Sequence, residues 1–434
     1  MLFKKLRRLL LASETNKKIF SYGSYILAGN IVSKFSLLIA TIVIAKFLGK
    51  EEYGQFGIIK STILTFSMIA GLELGVTATK YVSQYRKIDK KRVEKIVGLS
   101  NLFAIVISIT ISSLIFYFAR DIAAQIKAPG LYQEIQVSSY ILFFSAMNGI
   151  QNGILAGLEK FKEISINNVI AGFLSAAALI LSAAYFGLQA VVIAFGLNFI
   201  ILLTLNFITL RKHFYPHYSV KILDKGNFKE ISVIYKFSLP AILAGLMVAP
   251  VSWYCNYLLV RQPSGYSYMA EFDIATQWRN TILFIPAALS QVALPMLSAL
   301  TTAGTDQYKT VLKKNLIANT IIGVTLVILC VAGAPLIIKF YGKEYQNALV
   351  PLILMFLTTG FIAVNNVVGQ AIASKNKMWM GFYFNFIWAS ILVGLSYVFI
   401  VIMQLGAVGI SAAYLISYLC HTLLQFLYLR KIVY

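Results

Sequence analysis

Five of the charged side chains inside long apolar segments of this 434-residue sequence are candidates for functional chemistry. The basic ones are Lys34, Lys60 and Arg279, and the acidic ones are Glu73 and Asp273. A charge at membrane depth is costly unless it faces water, protein or another charge. We therefore interpret these residues as a binding or coupling site and weigh a structural alternative for each.

The basic residues differ in how easily they could reach the membrane surface. Lys34 lies near the middle of its segment, about 15 Å from either surface, so we expect it to face a wet interior or to pair with Glu73. Arg279 lies in the outer third of its segment, and Lys60 lies one turn inside the outer boundary. Both could instead extend to the outer headgroups, and for Lys60 this second interpretation is favoured.

The acidic residues could act as counter-charges or as proton carriers. Glu73 lies between Gly71 and Gly75, toward the inner end of its segment. Its expected role is to pair with a basic residue such as Lys34 or to act as a protonatable switch. We assign Asp273 to the same predicted coupling set.

Amide side chains accompany these charges. Asn30 lies one turn before Lys34, and Asn148 recurs as Asn365 at an offset of 217 residues. Amides in a membrane span either bond neighbouring helices or line a cavity, and the sequence does not decide between these roles. The predicted substrate-binding set is Lys34, Arg279, Asn30, Asn148, Asn365 and Lys60.

The composition is that of a membrane protein. The chain is 59% hydrophobic and 12% charged, with a mean hydropathy of +0.77, whereas a soluble chain carries roughly 25% charged residues. A net charge of +22 would suggest nucleic acid as the partner of a soluble protein. Here the basic residues lie between apolar segments, as the positive-inside rule requires, so we expect no nucleic-acid partner.

Catalytic and cofactor motifs are absent from the sequence. Gly49-Lys50 and Gly342-Lys343 are each followed by Glu, so neither completes a phosphate-binding loop. Neither HExxH nor GxSxG occurs, and Cys255, Cys330 and Cys420 have no paired spacing. We therefore expect no enzyme activity, no cofactor and no metal site.

Apolar segments and loop charges predict the topology. Twelve segments are long enough to span a membrane, which takes about 20 residues. They cover roughly residues 22–47, 56–79, 96–118, 135–158, 164–186, 188–210, 231–260, 272–300, 312–338, 348–373, 378–403 and 405–429. Of the 38 Lys and Arg residues, 28 lie at the side of the N-terminus and 7 lie at the other side. This asymmetry predicts that both termini are cytoplasmic.

The sequence also repeats itself at about half its length. Residues 187–212 resemble residues 406–431 at an offset of 219. Because six helices is an even number, the halves are expected to be parallel repeats. The predicted fold is an all-α integral membrane protein of two six-helix bundles. Its predicted parts are a cytoplasmic amphipathic segment, an N-terminal bundle, a basic linker and a C-terminal bundle, at residues 1–21, 22–212, 213–236 and 237–434.

Three stretches carry a family resemblance. The first runs from FLG at residues 47–49 through EEYG at 51–54 to a helix that closes in G-x-x-L-G at 71–75. The others are GILAGLEKFKEISINNVIAG at 153–172 and IPAALSQVALPML at 285–297. With the topology and the repeat, they resemble the polysaccharide transporter or O-antigen flippase (Wzx-like) family. That family belongs to the multidrug, oligosaccharidyl-lipid and polysaccharide (MOP) exporter superfamily.

The resemblance implies a V-shaped, MATE-like pair of bundles around a central cavity. It implies a flippase that moves an undecaprenyl-pyrophosphate-linked oligosaccharide, such as an O-antigen or capsule unit, to the outer leaflet of a bacterial or archaeal cytoplasmic membrane. Lys34 and Arg279, one in each half, would attract its pyrophosphate or an acidic sugar. The expected partners are this glycan and membrane lipids, with glycan polymerase and chain-length proteins as further candidates.

Two other functions stay open at the level of sequence. A cation-coupled multidrug exporter of the same superfamily would need an acidic cavity, which Glu73 and Asp273 could supply. A multispan glycan polymerase or ligase would be expected to place Arg or His residues on a long outer loop. The predicted outer loops are all short, which disfavours this last function.

Overall fold

Helices are the regular secondary structure of the residues that the computed structural model describes, which are 14–71, 74–126, 129–233, 248–291, 305–375 and 378–433. The helices are α1 (Glu14–Gly71), α2 (Leu74–Tyr85), α3 (Lys90–Tyr117), α4 (Ala119–Gln125), α5 (Tyr132–Gly157), α6 (Phe161–Tyr185), α7 (Gly187–His213), α8 (Ala249–Val260), α9 (Gly265–Gln291), α10 (Thr305–Tyr341), α11 (Leu349–Ser374), α12 (Met378–Ser396) and α13 (Gly406–Val433). A π-helical turn, Tyr397–Ile402, continues α12. Short helical pieces lie at Pro129–Leu131, Lys225–Glu230, Ile231–Val233 and Lys343–Ala348.

Eight helices in the described ranges are long and apolar enough to cross a membrane. They confirm the prediction of an all-α, multi-pass membrane protein. One of the eight is α1, in which two predicted spans follow each other without a loop. Helices α5 and α9 are not among the eight, and α9 carries three charges, on Glu271, Asp273 and Arg279. The count of twelve spans stays a prediction.

The turn between the first two predicted spans is shorter than the sequence suggested. The predicted spans 22–47 and 56–79 leave a connection at residues 48–55, but helical geometry is lost only at Gly49, which has φ 73° and ψ 173°. This conformation favours glycine, and the acidic residues that follow are already helical. Tyr345 contacts the helix on both sides of Gly49. Its hydroxyl donates to the Ala45 carbonyl at 2.8 Å, and its ring lies 6.3 Å from that of Tyr53.

Small residues bring the N-terminal helices close together. A Cβ atom at Gly153 of α5 would lie 2.1 Å from the carbonyl oxygen of Gly75 in α2, so only glycine fits there. Thr79 fastens the same crossing, because its hydroxyl donates to the carbonyls of Gly75 and Gly153 at 2.9 and 3.1 Å. This is the small-residue packing that membrane helices use in place of a hydrophobic driving force.

Among the described residues, the hydrophobic core is continuous at one end of the molecule and forms two clusters at the other. We call the end that carries the turns near Lys87, Lys160 and Lys375 the basic end, and the end that carries Gly49 and Gly342 the closed end. One cluster of buried residues, from Ala40 to Tyr414, takes in both halves toward the closed end. Toward the basic end the described residues pack as two separate clusters, one in each half. Within the described ranges, the halves therefore share one cluster at the closed end and have separate clusters toward the basic end.

Candidate functional site

A buried ion pair connects the halves near the closed end. The Lys60 ammonium of α1 donates to Asp273 Oδ2 of α9 at 2.7 Å and to Gln277 Oε1 at 3.3 Å. The Tyr53 hydroxyl donates to the same carboxylate oxygen at 3.1 Å. Lys60 and Asp273 are 8% and 6% exposed. In this conformation Lys60 is bound to Asp273 and does not extend to the membrane surface.

A second cross-half pair lies beside the first. Lys50 donates to Glu271 Oε1 at 2.6 Å, and Glu271 is almost fully buried. Neither residue belongs to the predicted site, because both lie just outside the predicted membrane spans. No sequence signal connects two residues that lie 221 positions apart.

Neutral hydrogen bonds extend this contact between α1 and α8. Trp253 Nε1 donates to Thr62 Oγ1 at 2.9 Å, and Asn256 Nδ2 donates to Ser61 Oγ at 2.8 Å. A buried ion pair contributes to stability only when its geometry is good and its remaining polar atoms are satisfied, because desolvation opposes the Coulombic gain. Tyr53 and Gln277 supply that satisfaction around Lys60 and Asp273.

Lys34 lies farther toward the basic end and faces the opposite half. It is half-buried, and its ammonium lies 5.0 Å from the centre of the Phe284 ring of α9. Among the described residues no carboxylate lies within 4.0 Å of it. Glu73, its expected alternative partner, lies outside the described residues. The neighbouring Asn30 accepts a hydrogen bond from Asn168 of α6 at 3.3 Å.

Arg279 lies inside the C-terminal half and not at a membrane surface. It is 8% exposed, and two of its guanidinium nitrogens donate to Asn280 Oδ1 at 3.3 Å. A third contacts Met355 Sδ at 3.9 Å, and the guanidinium lies 5.3 Å from the centre of the Tyr414 ring. Amide and aromatic groups therefore hold this cation, and no carboxylate of the described ranges pairs with it.

The repeated amides bond neighbouring helices. Asn206 of α7 donates to Asn148 Oδ1 of α5 at 2.8 Å and accepts from Asn167 Nδ2 of α6 at 2.9 Å. In the other half, Asn365 of α11 contacts His421 Nδ1 of α13 at 3.3 Å. These contacts are the structural role that the sequence left open, and a substrate contact for Asn148 and Asn365 stays a prediction.

The internal repeat could have indicated that Asn206 and Gln425 take equivalent positions in the two halves. The offset of 219 pairs Asn206 with Gln425, which lies 3.2 Å from His421 Nε2. Each half therefore carries a polar network at matching positions, with a histidine inserted only in the second one. His421 itself has no counterpart, because the residue at the matching position is Leu202. His421 is buried among amide side chains. The sequence shows only a single histidine in an apolar run, which does not predict such a network.

Metal-binding geometry does not occur in the described part of the chain, where no three His, Cys, Asp or Glu residues group together. Cys255, Cys330 and Cys420 are free thiols. The charged groups of the candidate site are thus the two cross-half ion pairs and the two cations Lys34 and Arg279.

Comparisons with known proteins give both a family and a fold. A profile of the family described as "Polysaccharide biosynthesis protein" matches residues 21–301. A curated relative, the "EPS I polysaccharide export inner membrane protein EpsE" of Ralstonia solanacearum, is 29% identical over 205 residues. That match covers 46% of each chain, so it spans about half the length of the relative.

Two solved structures have the same fold over nearly the whole chain. An inward-facing multidrug resistance MATE family transporter of the MOP superfamily has a TM-score of 0.75 at 15% identity, covering 95% of this chain and 98% of that one. The lipid II flippase MurJ, in an inward closed conformation, has a TM-score of 0.75 at 15% identity, covering 93% and 87%. At this identity the likeness shows the fold alone.

Proposed function

The chain belongs to the polysaccharide biosynthesis protein family, whose profile covers 21–301 of its 434 residues, and on that premise we propose that it flips a lipid-linked oligosaccharide by alternating access. The cargo that we infer is an undecaprenyl-pyrophosphate-linked glycan. Its anionic headgroup must cross about 30 Å of hydrocarbon while its polyprenyl tail stays in lipid. A cleft between two halves, open to the side, permits this movement, whereas a closed pore does not.

The observation that carries the proposal is the position of Lys34. Its ammonium lies between the halves, against Phe284, with no carboxylate partner in the described part of the chain. A half-buried cation in such a cleft attracts a phosphate group through a charge-assisted hydrogen bond. The acidic residues of the same interface, Glu271 and Asp273, are both neutralised by lysines. The net charge available to a cargo there is therefore positive.

The cross-half ion pairs fit the role of a gate. Lys50 with Glu271 and Lys60 with Asp273 join the halves at the closed end, while the described core residues form separate clusters toward the basic end. We infer that this conformation receives cargo from the basic side. Opening the closed end would separate Lys60 from Asp273, which frees a cation for the cargo and a carboxylate for a proton.

The direction of transport follows from the charge distribution. If the basic end is cytoplasmic, as the positive-inside rule predicts, the cleft opens toward the leaflet where the glycan is assembled. Both termini would then be cytoplasmic. Glycan polymerase and chain-length proteins would act on the product at the other leaflet.

A cation-coupled drug exporter is the second candidate, since the fold also occurs in a MATE family transporter. A cationic drug would need a free carboxylate in the cleft, and both described carboxylates of the interface are paired with lysines. This pairing favours an anionic cargo over a cationic one.

A complementation experiment in a deletion strain tests the flippase. We expect loss of the protein to accumulate lipid-linked repeat units on the inner leaflet and to remove surface glycan. The wild-type chain and Lys46→Met, an exposed position on the same helix, should restore both. Lys34→Met should insert normally but fail to restore surface glycan. Unchanged lipid pools together with altered drug tolerance would contradict the proposal and favour the exporter.

A further inference from the structure

Part of the connection between the two halves is held in place by hydrogen bonds. We call residues 214–230 the linker. Asn227, only 2% exposed, donates to the backbone carbonyls of Lys221 and Ile222 at 2.7 and 3.2 Å. Glu230 accepts from Arg92 Nε at 3.1 Å, and the Ser219 amide donates to Glu94 at 2.7 Å. The linker is therefore fixed against the first turns of α3.

The contact with α3 gives the depth of the linker. A Cβ atom at Gly98 would lie 2.6 Å from Asn227 Nδ2 and 2.8 Å from the Lys221 carbonyl oxygen, so the linker touches the helix there. Gly98 is the third residue of the apolar segment that begins at Ile96. At 1.5 Å per residue it lies about 3 Å inside that boundary. If Ile96 marks the edge of the hydrocarbon, the linker lies at the boundary between the lipid headgroups and the hydrocarbon.

At this depth the linker exposes apolar side chains. Leu223 is 86% exposed, Phe228 is 49% exposed and Ile222 is 36% exposed. Ile88, in the turn that leads into α3, is 81% exposed as well. Large apolar side chains that stay exposed at headgroup level match the apolar face of an interfacial membrane segment.

Lysines surround these apolar side chains. Lys221, Lys225 and Lys229 recur every four residues along the linker, and all three are exposed. Three more exposed lysines lie at or just before the start of α3, against which the linker packs, namely Lys87, Lys90 and Lys91. The exposed acidic residues in the same two stretches are Asp89 and Asp224, so the net charge of the surface is positive. Juxtamembrane lysine clusters of this kind attract anionic lipids.

We propose that the linker is a membrane-surface anchor, which inserts Ile222, Leu223 and Phe228 between lipid headgroups and places its lysines on anionic phosphates. The N-terminal half then carries a fixed contact with one leaflet, and movement of the other half takes place relative to that contact. Charge complementarity selects an anionic phospholipid surface as the occupant. A soluble protein partner is the alternative that the experiment below separates.

Spin labels in the full-length protein, reconstituted in vesicles, test the depth. Leu223→Cys is labelled in a Cys330→Ala, Cys420→Ala background, and collision with oxygen is compared with collision with a water-soluble nickel chelate. Leu114→Cys, exposed on the apolar part of α3, is the lipid-facing control. Glu52→Cys, at an exposed polar position of the closed end, is the water-facing control.

In vesicles that contain phosphatidylglycerol, we expect the label at residue 223 to prefer oxygen, as the Leu114 control does. A preference for the nickel chelate, as at residue 52, would overturn the proposal and leave a protein partner as the occupant. The triple variant Lys221→Gln, Lys225→Gln, Lys229→Gln should shift the label toward water, and so should vesicles of pure phosphatidylcholine. Equal depth in both lipids would overturn the electrostatic part.

Discussion

At the scale of single residues, the structure shows which groups contact the charges that the sequence places inside apolar segments. Lys60 and Asp273, considered separately in the sequence, form one buried pair, whereas Lys34 stays without a carboxylate partner in the described ranges. Arg279 shows a third solution, since Asn280 and the Tyr414 ring hold it. Three basic side chains therefore have three different surroundings, namely a carboxylate, an aromatic ring of the other half, and an amide with a ring.

The gate pair gives the first prediction. Lys60→Met leaves the Asp273 carboxylate buried without its partner, which costs about 3–5 kcal/mol for a fully buried pair. We expect a marked drop in the thermal unfolding temperature in nanodiscs. Lys50→Met should cost less, because the Lys50 side chain is 19% exposed against 10% for Lys60. The double variant Lys60→Met, Asp273→Leu should recover most of the loss, and a loss that persists there would contradict the pairing.

The amide network gives a second prediction at this scale. Asn206→Leu removes the partner of both Asn148 and Asn167 inside the N-terminal half, and unsatisfied buried amides cost about 1–3 kcal/mol each. We expect a lower unfolding temperature. Thr204→Val on the same helix is the control, because Thr204 is exposed and bonds only within its own helix. Equal stability of both variants would show that the network contributes nothing.

At the scale of helices, apolar length predicts most of the fold but not its crossings. The ends of the predicted spans match those of α3, α6, α7, α10 and α13 to within two helical turns. The close approach of α2 to α5 depends on the position along each helix at which the two cross, and a single sequence does not give that position. The cross-half bonds are unpredictable for a related reason, because their partners lie more than 200 residues apart.

The α2–α5 crossing yields a prediction with an internal control. A Cβ at Gly153 would lie 2.1 Å from the Gly75 carbonyl oxygen, whereas a Cβ at Gly149, one turn away, would meet nothing within 4 Å. Overpacking of this kind typically costs about 1–3 kcal/mol. We expect Gly153→Ala to lower the yield of folded protein and its unfolding temperature, and Gly149→Ala to leave both unchanged. The opposite order would mean that the helices cross elsewhere.

At the scale of the whole molecule, the division of the core explains how two halves could move. Among the described residues, one cluster is shared by the halves at the closed end, and toward the basic end each half has a separate cluster. The sequence predicted two halves through its repeat, but it could not show at which end they meet. That information lies in the contacts of α1 with α8 and α9.

Distances between spin labels test this arrangement. One pair of labels, at exposed Glu52 and Arg261, reports on the closed end, and a second pair, at exposed Lys162 and Lys313, reports on the basic end. We expect Lys50→Met combined with Lys60→Met to lengthen the first distance and shorten the second. Lys46→Met should change neither distance. An increase in both distances would indicate loosening of the fold in place of gating.

The cross-half ion pair also has a consequence for biosynthesis. Lys60 leaves the ribosome 213 residues before Asp273. At 5–20 residues per second, this interval lasts about 10–40 s. During that time the Lys60 ammonium has no Asp273 to neutralise it and must stay close to lipid phosphates or translocon water. The newly made first half therefore carries an uncompensated charge until α9 arrives, and that arrival completes the closed end.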